Sequence, residues 1–135
     1  MGIASYVTGL QHIGIPTNDL EKTISFYQSL GFQKQYETNN KGEQVVFLQL
    51  KHVMIEIYQN YQASMAFGAI DHIALDVSDI EASYREVENL GYPILEDGIQ
   101  ALPFWKHGVR FFTIEGPNKE KVEFSQMISV PNLPI

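Results

Sequence analysis

Two histidines and two glutamates recur at matching places in the chain and could bind a metal ion together. His12 and His72 each precede an apolar residue, and Glu56 and Glu123 each lie between apolar neighbours late in the two halves. Imidazole nitrogens and carboxylate oxygens are ligands that Zn, Ni, Co, Mn and Fe(II) accept, with coordination positions left for water or substrate. The sequence therefore predicts a centre for one divalent metal ion bound by all four side chains.

An internal repeat explains why these residues match. The stretch from His12 to Gly31 aligns without gaps with the stretch from His72 to Gly91, at an offset of 60. Further along the chain the offset between matching residues grows to 64 and then 67, so about seven extra residues lie in the second half. In a strand, a single histidine or glutamate is usually structural or solvent-facing, but repetition of both favours a ligand set. The identical positions are His12-Ile13 with His72-Ile73, Asp19 with Asp79, Glu21 with Glu81, and Leu30-Gly31 with Leu90-Gly91.

Each half has a pattern typical of one strand, one helix and three further strands. Asp19 and Asp79 are suited to begin the helices, and Gly31 and Gly91 to end them. The predicted fold is α+β, with two tandem βαβββ modules whose curled mixed sheet encloses a metal-binding cavity. The predicted strands are Gln11 to Ile15, Phe32 to Glu37, Glu43 to Leu50, Val53 to Tyr58, a strand that begins at His72, Tyr92 to Glu96, Val109 to Glu115 and Lys121 to Gln126.

Size and composition exclude several classes of protein. The 135 residues predict a single domain, with modules at about 8–60 and 70–128, a linker at about 61–69 and a short tail at 129–135. A net charge of −7 disfavours nucleic acid and anionic membranes as partners. The absence of cysteine excludes thiolate metal sites and cysteine nucleophiles. No apolar stretch approaches the length of a membrane span, so we expect a cytoplasmic protein.

The longer loop of the second half carries the candidate substrate contacts. It contains aromatic and basic residues that could cover a cavity, whereas His52 lies in a predicted turn and is expected to face solvent. Arg110 begins the next strand and either binds an anionic group or only faces water. The candidate contacts are Phe104, Trp105, Lys106, His107 and Arg110.

The whole pattern resembles the vicinal oxygen chelate superfamily and, within it, glyoxalase I. The resemblance runs from Leu10 to about Met127, and residues 116–124 are similar to the turn and strand that carry the last ligand of that superfamily. It implies a lactoylglutathione lyase-like enzyme, a homodimer, and one divalent ion per site, with Zn, Ni or Co expected before Mn or Fe. It also implies that Asn60 contacts a thiol substrate.

The implied chemistry is proton transfer at a carbon next to a carbonyl, in which the ion stabilises the negative charge that the step creates. Glu123 and Glu56 are the two candidates for the base that takes the proton from one carbon and returns it to the next, and the sequence does not choose between them.

The resemblance leaves other activities open, because this scaffold carries many reactions. Pro16 stands where glyoxalase I has an arginine for glutathione, so another thiol adduct or a small 2-oxo compound is an equal candidate substrate. Epimerases, Fe(II) ring-cleavage dioxygenases and small-molecule binding or resistance proteins share the scaffold. Dioxygenases of this superfamily use only three of the four positions, and drug-binding relatives generally lack the ligand set.

Overall fold

The computed structural model describes residues 2–129 and divides the chain into two compact units. Unit 1 ends at Ala63 and unit 2 begins at Ser64. The predicted tail lies outside the described residues from position 130 onward. Within residues 2–129, the helices are all too short or too polar to cross a membrane.

Unit 1 is a four-stranded mixed sheet with one helix. The strand order is β1-β4-β3-β2; β1 runs parallel to β4, and the other neighbours are antiparallel. A 3-10 turn at Ile3–Ser5 precedes the sheet. The elements are β1 (Ile13–Thr17), α1 (Leu20–Ser29), β2 (Gln33–Asn40), β3 (Glu43–Leu50) and β4 (Val53–Gln59).

Unit 2 repeats the same arrangement. Its strand order is β5-β8-β7-β6, again with one parallel pair, β5 and β8, and two antiparallel pairs. The predicted α+β fold of two βαβββ modules is therefore confirmed. The elements are β5 (His72–Asp76), α2 (Ile80–Leu90), β6 (Gln100–Leu102), β7 (Val109–Glu115) and β8 (Lys121–Met127).

Both helices begin as the sequence predicts and α2 also ends at the predicted glycine, whereas α1 ends with Leu30 as its C-cap, one residue before the predicted Gly31. The side chains of Asp19 and Asp79 accept hydrogen bonds from backbone N–H groups three residues later, at 3.1 Å and 3.0 Å. Gly91 ends α2 with φ of 88°, a left-handed conformation that glycine adopts without steric cost. These caps set the helices shortly after β1, which follows His12, and shortly after β5, which begins with His72.

A glutamine of the last strand also holds each helix start. Gln59 Oε1 accepts from the N–H of Leu20 at 2.8 Å, and Gln126 Oε1 accepts from the N–H of Ile80 at 2.9 Å. Each glutamine lies three residues after a candidate glutamate, so it points to the opposite face of its strand. The strand that carries the candidate ligand is therefore tied to the helix through its other face.

One predicted strand is wrong. The segment Tyr92 to Glu96 forms only an isolated bridge, between Ile94 and Ile114, and β6 lies further on, inside the predicted loop. Pro93 has no N–H to offer a strand partner. The Glu96 carboxylate accepts from the N–H and the hydroxyl of Thr113, both at 2.7 Å, while the Thr113 carbonyl accepts from the N–H of Leu95 at 2.9 Å, so a side chain takes the place of one backbone acceptor at that edge of β7.

Candidate metal centre

Each unit brings its candidate histidine next to its candidate glutamate. In unit 1, His12 lies directly before β1, and its Nε2 is 3.3 Å from Oε1 of Glu56 in β4. In unit 2, His72 is the first residue of β5, and its Nε2 is 3.5 Å from Oε1 of Glu123 in β8. The parallel pairing of the first and last strand of each unit makes both contacts, because it brings together residues that are 44 positions apart in unit 1 and 51 positions apart in unit 2. In both units the contact therefore joins Nε2 of the histidine to Oε1 of the glutamate.

Strand alternation sets the glutamates apart from their neighbours. Ile55 and Ile57 are fully buried beneath α1, while the Glu56 side chain between them is 28% exposed on the other face. Val122 is likewise fully buried, whereas the Glu123 side chain is 19% exposed. The prediction that these carboxylates point away from the apolar layer is thus met in both units.

The geometry of each pair fits two ligands of one metal ion. Ligands about 2.1 Å from an ion lie roughly 3.0–3.4 Å apart in octahedral or tetrahedral coordination, and the two observed separations are 3.3 Å and 3.5 Å. A ring nitrogen without its proton and a carboxylate oxygen present lone pairs to each other at this distance. Such a contact becomes favourable when the ring nitrogen carries a hydrogen that it donates to the carboxylate, or when a metal ion lies between the two atoms.

The other ring nitrogen of each histidine contacts the preceding residue. Nδ1 of His12 lies 2.9 Å from Oε1 of Gln11, and Nδ1 of His72 lies 3.0 Å from Oδ2 of Asp71. A partner on the second nitrogen orients a ligand histidine and selects which nitrogen faces the metal. We did not predict these two partners, although the signal was present: a hydrogen-bond acceptor stands directly before each histidine.

Two carboxyl groups of unit 2 have shifted pKa values. Burial raises the pKa of Glu123; the neighbouring His72 charge opposes that shift and the Glu96 carboxylate adds to it. Hydrogen bonds from His72 and Lys121 lower the pKa of Asp71. The partly buried carboxylate of Glu123 is therefore costly to ionise unless a positive charge lies beside it.

The surroundings of the two pairs are not alike. Phe47, the strand partner of Glu56, packs edge-on against the His12 ring with centroids 5.7 Å apart. The corresponding strand partner of Glu123 is Thr113, whose side chain bonds to the Glu96 carboxylate. An aromatic ring thus borders the His12–Glu56 pair, whereas hydrogen-bonded polar side chains border the His72–Glu123 pair.

Within residues 2–129, no three His, Cys, Asp or Glu side chains are grouped so that they could hold a metal ion. Each unit by itself supplies two donors, one nitrogen and one oxygen. Two ligands leave most positions of a divalent ion to be filled from elsewhere. A four-ligand centre therefore requires both pairs.

The structure does not bring Arg110 to the His72–Glu123 pair. Its guanidinium lies 3.5 Å from Oε1 of Glu81 on α2, and its side chain is only 16% exposed. Phe112, two residues later and on the same face, packs against Tyr84 of the same helix. The sequence left open whether Arg110 binds an anionic group or only faces water; the structure instead pairs it with a carboxylate of α2 on the helix-covered face.

The remaining predicted contacts lie in loops. Asn60 follows β4, and its Oδ1 accepts from the N–H of Gln62 at 3.0 Å, so the amide shapes the turn there. The segment after β6 is largely open to solvent, and Trp105 is 73% exposed with φ of 63°. His52 lies exposed in the β3–β4 turn, as predicted. The residues of the exposed segment are Phe104, Trp105 and Lys106, with His107 half-buried behind them.

One family model matches most of the chain. Residues 9–124 match the family model of the Glyoxalase/Bleomycin resistance protein/Dioxygenase superfamily, which is most of the chain. The chain belongs to this superfamily. Among curated members, the uncharacterized protein YwbC of Bacillus subtilis (strain 168) is 35% identical over 124 residues, covering 87% of this chain and 96% of YwbC.

Solved structures of the superfamily share the fold and differ in activity. The antibiotic-binding protein TnmS3 from Streptomyces sp. CB03234 superposes with a TM-score of 0.74 at 18% identity, covering 90% of this chain and 98% of TnmS3. The fosfomycin resistance protein FosX from Listeria monocytogenes, complexed with Mn(II), gives 0.68 at 18%, covering 91% and 95%. Lactoylglutathione lyase from Agrobacterium tumefaciens gives 0.68 at 18%, covering 89% and 94%. At these identities the superpositions show the fold alone.

Proposed function

We propose that this superfamily member is a divalent-metal-dependent lyase or isomerase of the glyoxalase type. His12, Glu56, His72 and Glu123 would hold one ion between them, and the substrate would be a small 2-oxo compound or its thiol adduct. The observation that carries the proposal is the repeated pair, in which Nε2 of a histidine faces Oε1 of a glutamate at 3.3 Å in one unit and 3.5 Å in the other. A purely passive binding protein has no need for two matched pairs of this kind.

The chain's own residues would position the substrate and move a proton. A divalent ion held by these residues would supply Lewis-acid stabilisation of the charge that develops on the substrate. The carboxylate of Glu123 or of Glu56 would take a proton from the carbon next to the carbonyl and return it to the adjacent carbon.

Substrate recognition would fall to the loops. Lys106 and His107 bring a cation and an imidazole to the segment after β6, and Phe104 and Trp105 bring exposed aromatic surface. Aromatic rings next to a positive charge suit a substrate with an apolar part and an anionic end. Asn60, at the end of β4, would contact the substrate from the first repeat.

A solved structure with the same fold that contains a bound metal ion supports the proposal of a metal centre in this chain. FosX was solved with Mn(II) bound, and the lyase from Agrobacterium tumefaciens bears the name of the proposed reaction. TnmS3 is an antibiotic-binding protein of the same fold, so a binding function is the alternative that a test must separate. The discriminating property is whether the two pairs bind metal and support turnover.

Metal content and turnover test the proposal together. We expect the purified wild-type chain to carry or take up one divalent ion per site, measured by plasma mass spectrometry, and His72→Ala to lose it. His52→Ala removes an exposed turn histidine and should change nothing. With hemithioacetals and 2-oxo compounds as substrates, Glu123→Gln should abolish turnover.

Two outcomes would contradict the proposal. A wild-type chain that neither carries nor takes up Zn, Ni, Co, Mn or Fe would leave a pocket protein of the TnmS3 kind. A chain that binds metal but consumes oxygen with Fe(II) and a catechol would be a ring-cleavage dioxygenase.

A further inference from the structure

The two pairs differ in the group that holds the outer nitrogen of each histidine. Nδ1 of His72 faces the Asp71 carboxylate, whereas Nδ1 of His12 faces the amide of Gln11. A carboxylate only accepts hydrogen bonds, and Nδ1 of His72 is the ring nitrogen nearer to one: it lies 3.0 Å from Asp71, whereas Nε2 lies 3.5 Å from Glu123, so we assign the proton to Nδ1. An amide can present either its oxygen or its NH₂ group, so Gln11 leaves the tautomer of His12 open.

Asp71 is itself held in a defined position. The Lys121 ammonium lies 3.2 Å and 3.4 Å from the two carboxylate oxygens of Asp71, and the same ammonium lies 3.9 Å from the centroid of the Phe67 ring. Lys121 is the register partner of His72 on β8, two residues before Glu123. The place two residues before Glu56 is taken by Met54, which has no charge to offer Gln11.

We propose that Asp71, oriented by Lys121, is a positioning residue that keeps the proton of His72 on Nδ1 and leaves Nε2 free to bind a cation. As a consequence, the His72–Glu123 pair is the stronger half of the metal centre and the His12–Glu56 pair the weaker. A carboxylate behind an imidazole also increases the basicity of the ligand nitrogen. The claim about the metal rests on the proposed function, whereas the claim about the tautomer does not.

The tautomer is tested on the metal-free full chain. Long-range proton–nitrogen correlation NMR under mildly alkaline conditions reports which ring nitrogen of a neutral histidine carries the proton. We expect His72 to be protonated on Nδ1 in the wild type, and Asp71→Ala to move it toward the Nε2-protonated form. Asp71→Asn provides a second variant of nearly the same shape, and it should give a mixture. If His72 keeps its Nδ1 proton in both variants, Asp71 does not position it.

Metal affinity tests the difference between the halves. Calorimetric titration with Zn²⁺ or Mn²⁺ should show Asp71→Ala binding about ten- to a hundredfold more weakly than wild type, and Gln11→Ala losing less. The double substitution Gln11→Asp with Met54→Lys would place beside His12 the same pair of charges that Asp71 and Lys121 place beside His72, and it should strengthen metal binding. Glu86→Gln removes one negative charge from an exposed position of α2 and should leave the affinity unchanged.

The outcomes separate this inference from the proposed function. Equal losses in Asp71→Ala and Gln11→Ala, or no loss in either, would overturn the proposed asymmetry while the metal centre stands. A wild-type chain that binds neither ion would overturn the metal centre and the asymmetry together. The NMR result decides the positioning of His72 in either case.

Discussion

At the scale of single residues, one carboxylate provides a hydrogen-bond acceptor that the backbone of a neighbouring strand would otherwise provide. Glu96 accepts two hydrogen bonds of 2.7 Å from Thr113, which is only 7% exposed and is the strand partner of Glu123. Glu96→Ala would leave a buried N–H and a buried hydroxyl without that acceptor. We expect the free energy of unfolding to fall by about 1–3 kcal/mol, measured by urea denaturation.

The neighbouring carboxylate supplies the control for this prediction. Asp97 is exposed and follows Glu96 directly, so Asp97→Ala should change the free energy of unfolding by less than about 0.5 kcal/mol. A Glu96→Ala chain as stable as wild type would mean that water replaces the carboxylate at the edge of β7.

At the scale of elements, the last strand and the helix of each unit are joined by a repeated glutamine. Gln126 accepts from the N–H of Ile80 and donates to the carbonyl of Ser78, both at 2.9 Å. Gln126→Ala would remove both contacts at the start of α2. We expect a loss of about 1–2 kcal/mol in the free energy of unfolding, with faster amide hydrogen exchange in the first turn of α2.

A glutamine on a helix surface serves as the matched control. Gln28 is exposed on α1, where alanine is an equally good helix former, so Gln28→Ala should be nearly neutral. Equal effects of the two substitutions, or unchanged exchange in α2, would show that the glutamine contact does not hold the helix start.

At the scale of the whole molecule, each unit supplies two of the four proposed ligands. A homodimer, proposed from the family resemblance, could complete a centre with pairs from one chain or from two. Mixing His12→Ala with His72→Ala chains under exchange distinguishes these cases. If the pairs come from different chains, each mixed dimer has one intact centre, and about a quarter of the sites should regain metal; if they come from one chain, none should.

The oligomeric state is checked on the same samples. Light scattering coupled to size-exclusion chromatography should show a species of twice 15.3 kDa. A species of 15.3 kDa alone would reject the homodimer and predict no recovery of metal on mixing.

The sequence by itself determined the features that depend on local chemistry and on repetition. Helix caps at Asp19 and Asp79 act within one turn, and strand alternation separates Glu56 from Ile55 and Ile57, so both could be predicted from neighbouring residues. The internal repeat then marked His72 as the counterpart of His12.

Only the tertiary structure decided the contacts between distant residues. Arg110 turned to Glu81 on the helix face, Glu96 replaced a strand at Thr113, and Lys121 reached Asp71 across 50 positions of sequence. Each of these side chains had several possible partners within the chain. The pairing of β5 with β8 brought Lys121 to Asp71, and the packing of α2 and of the segment before β6 against β7 decided the other two, because sheet register and helix placement are set by packing of the whole unit and not by local pattern.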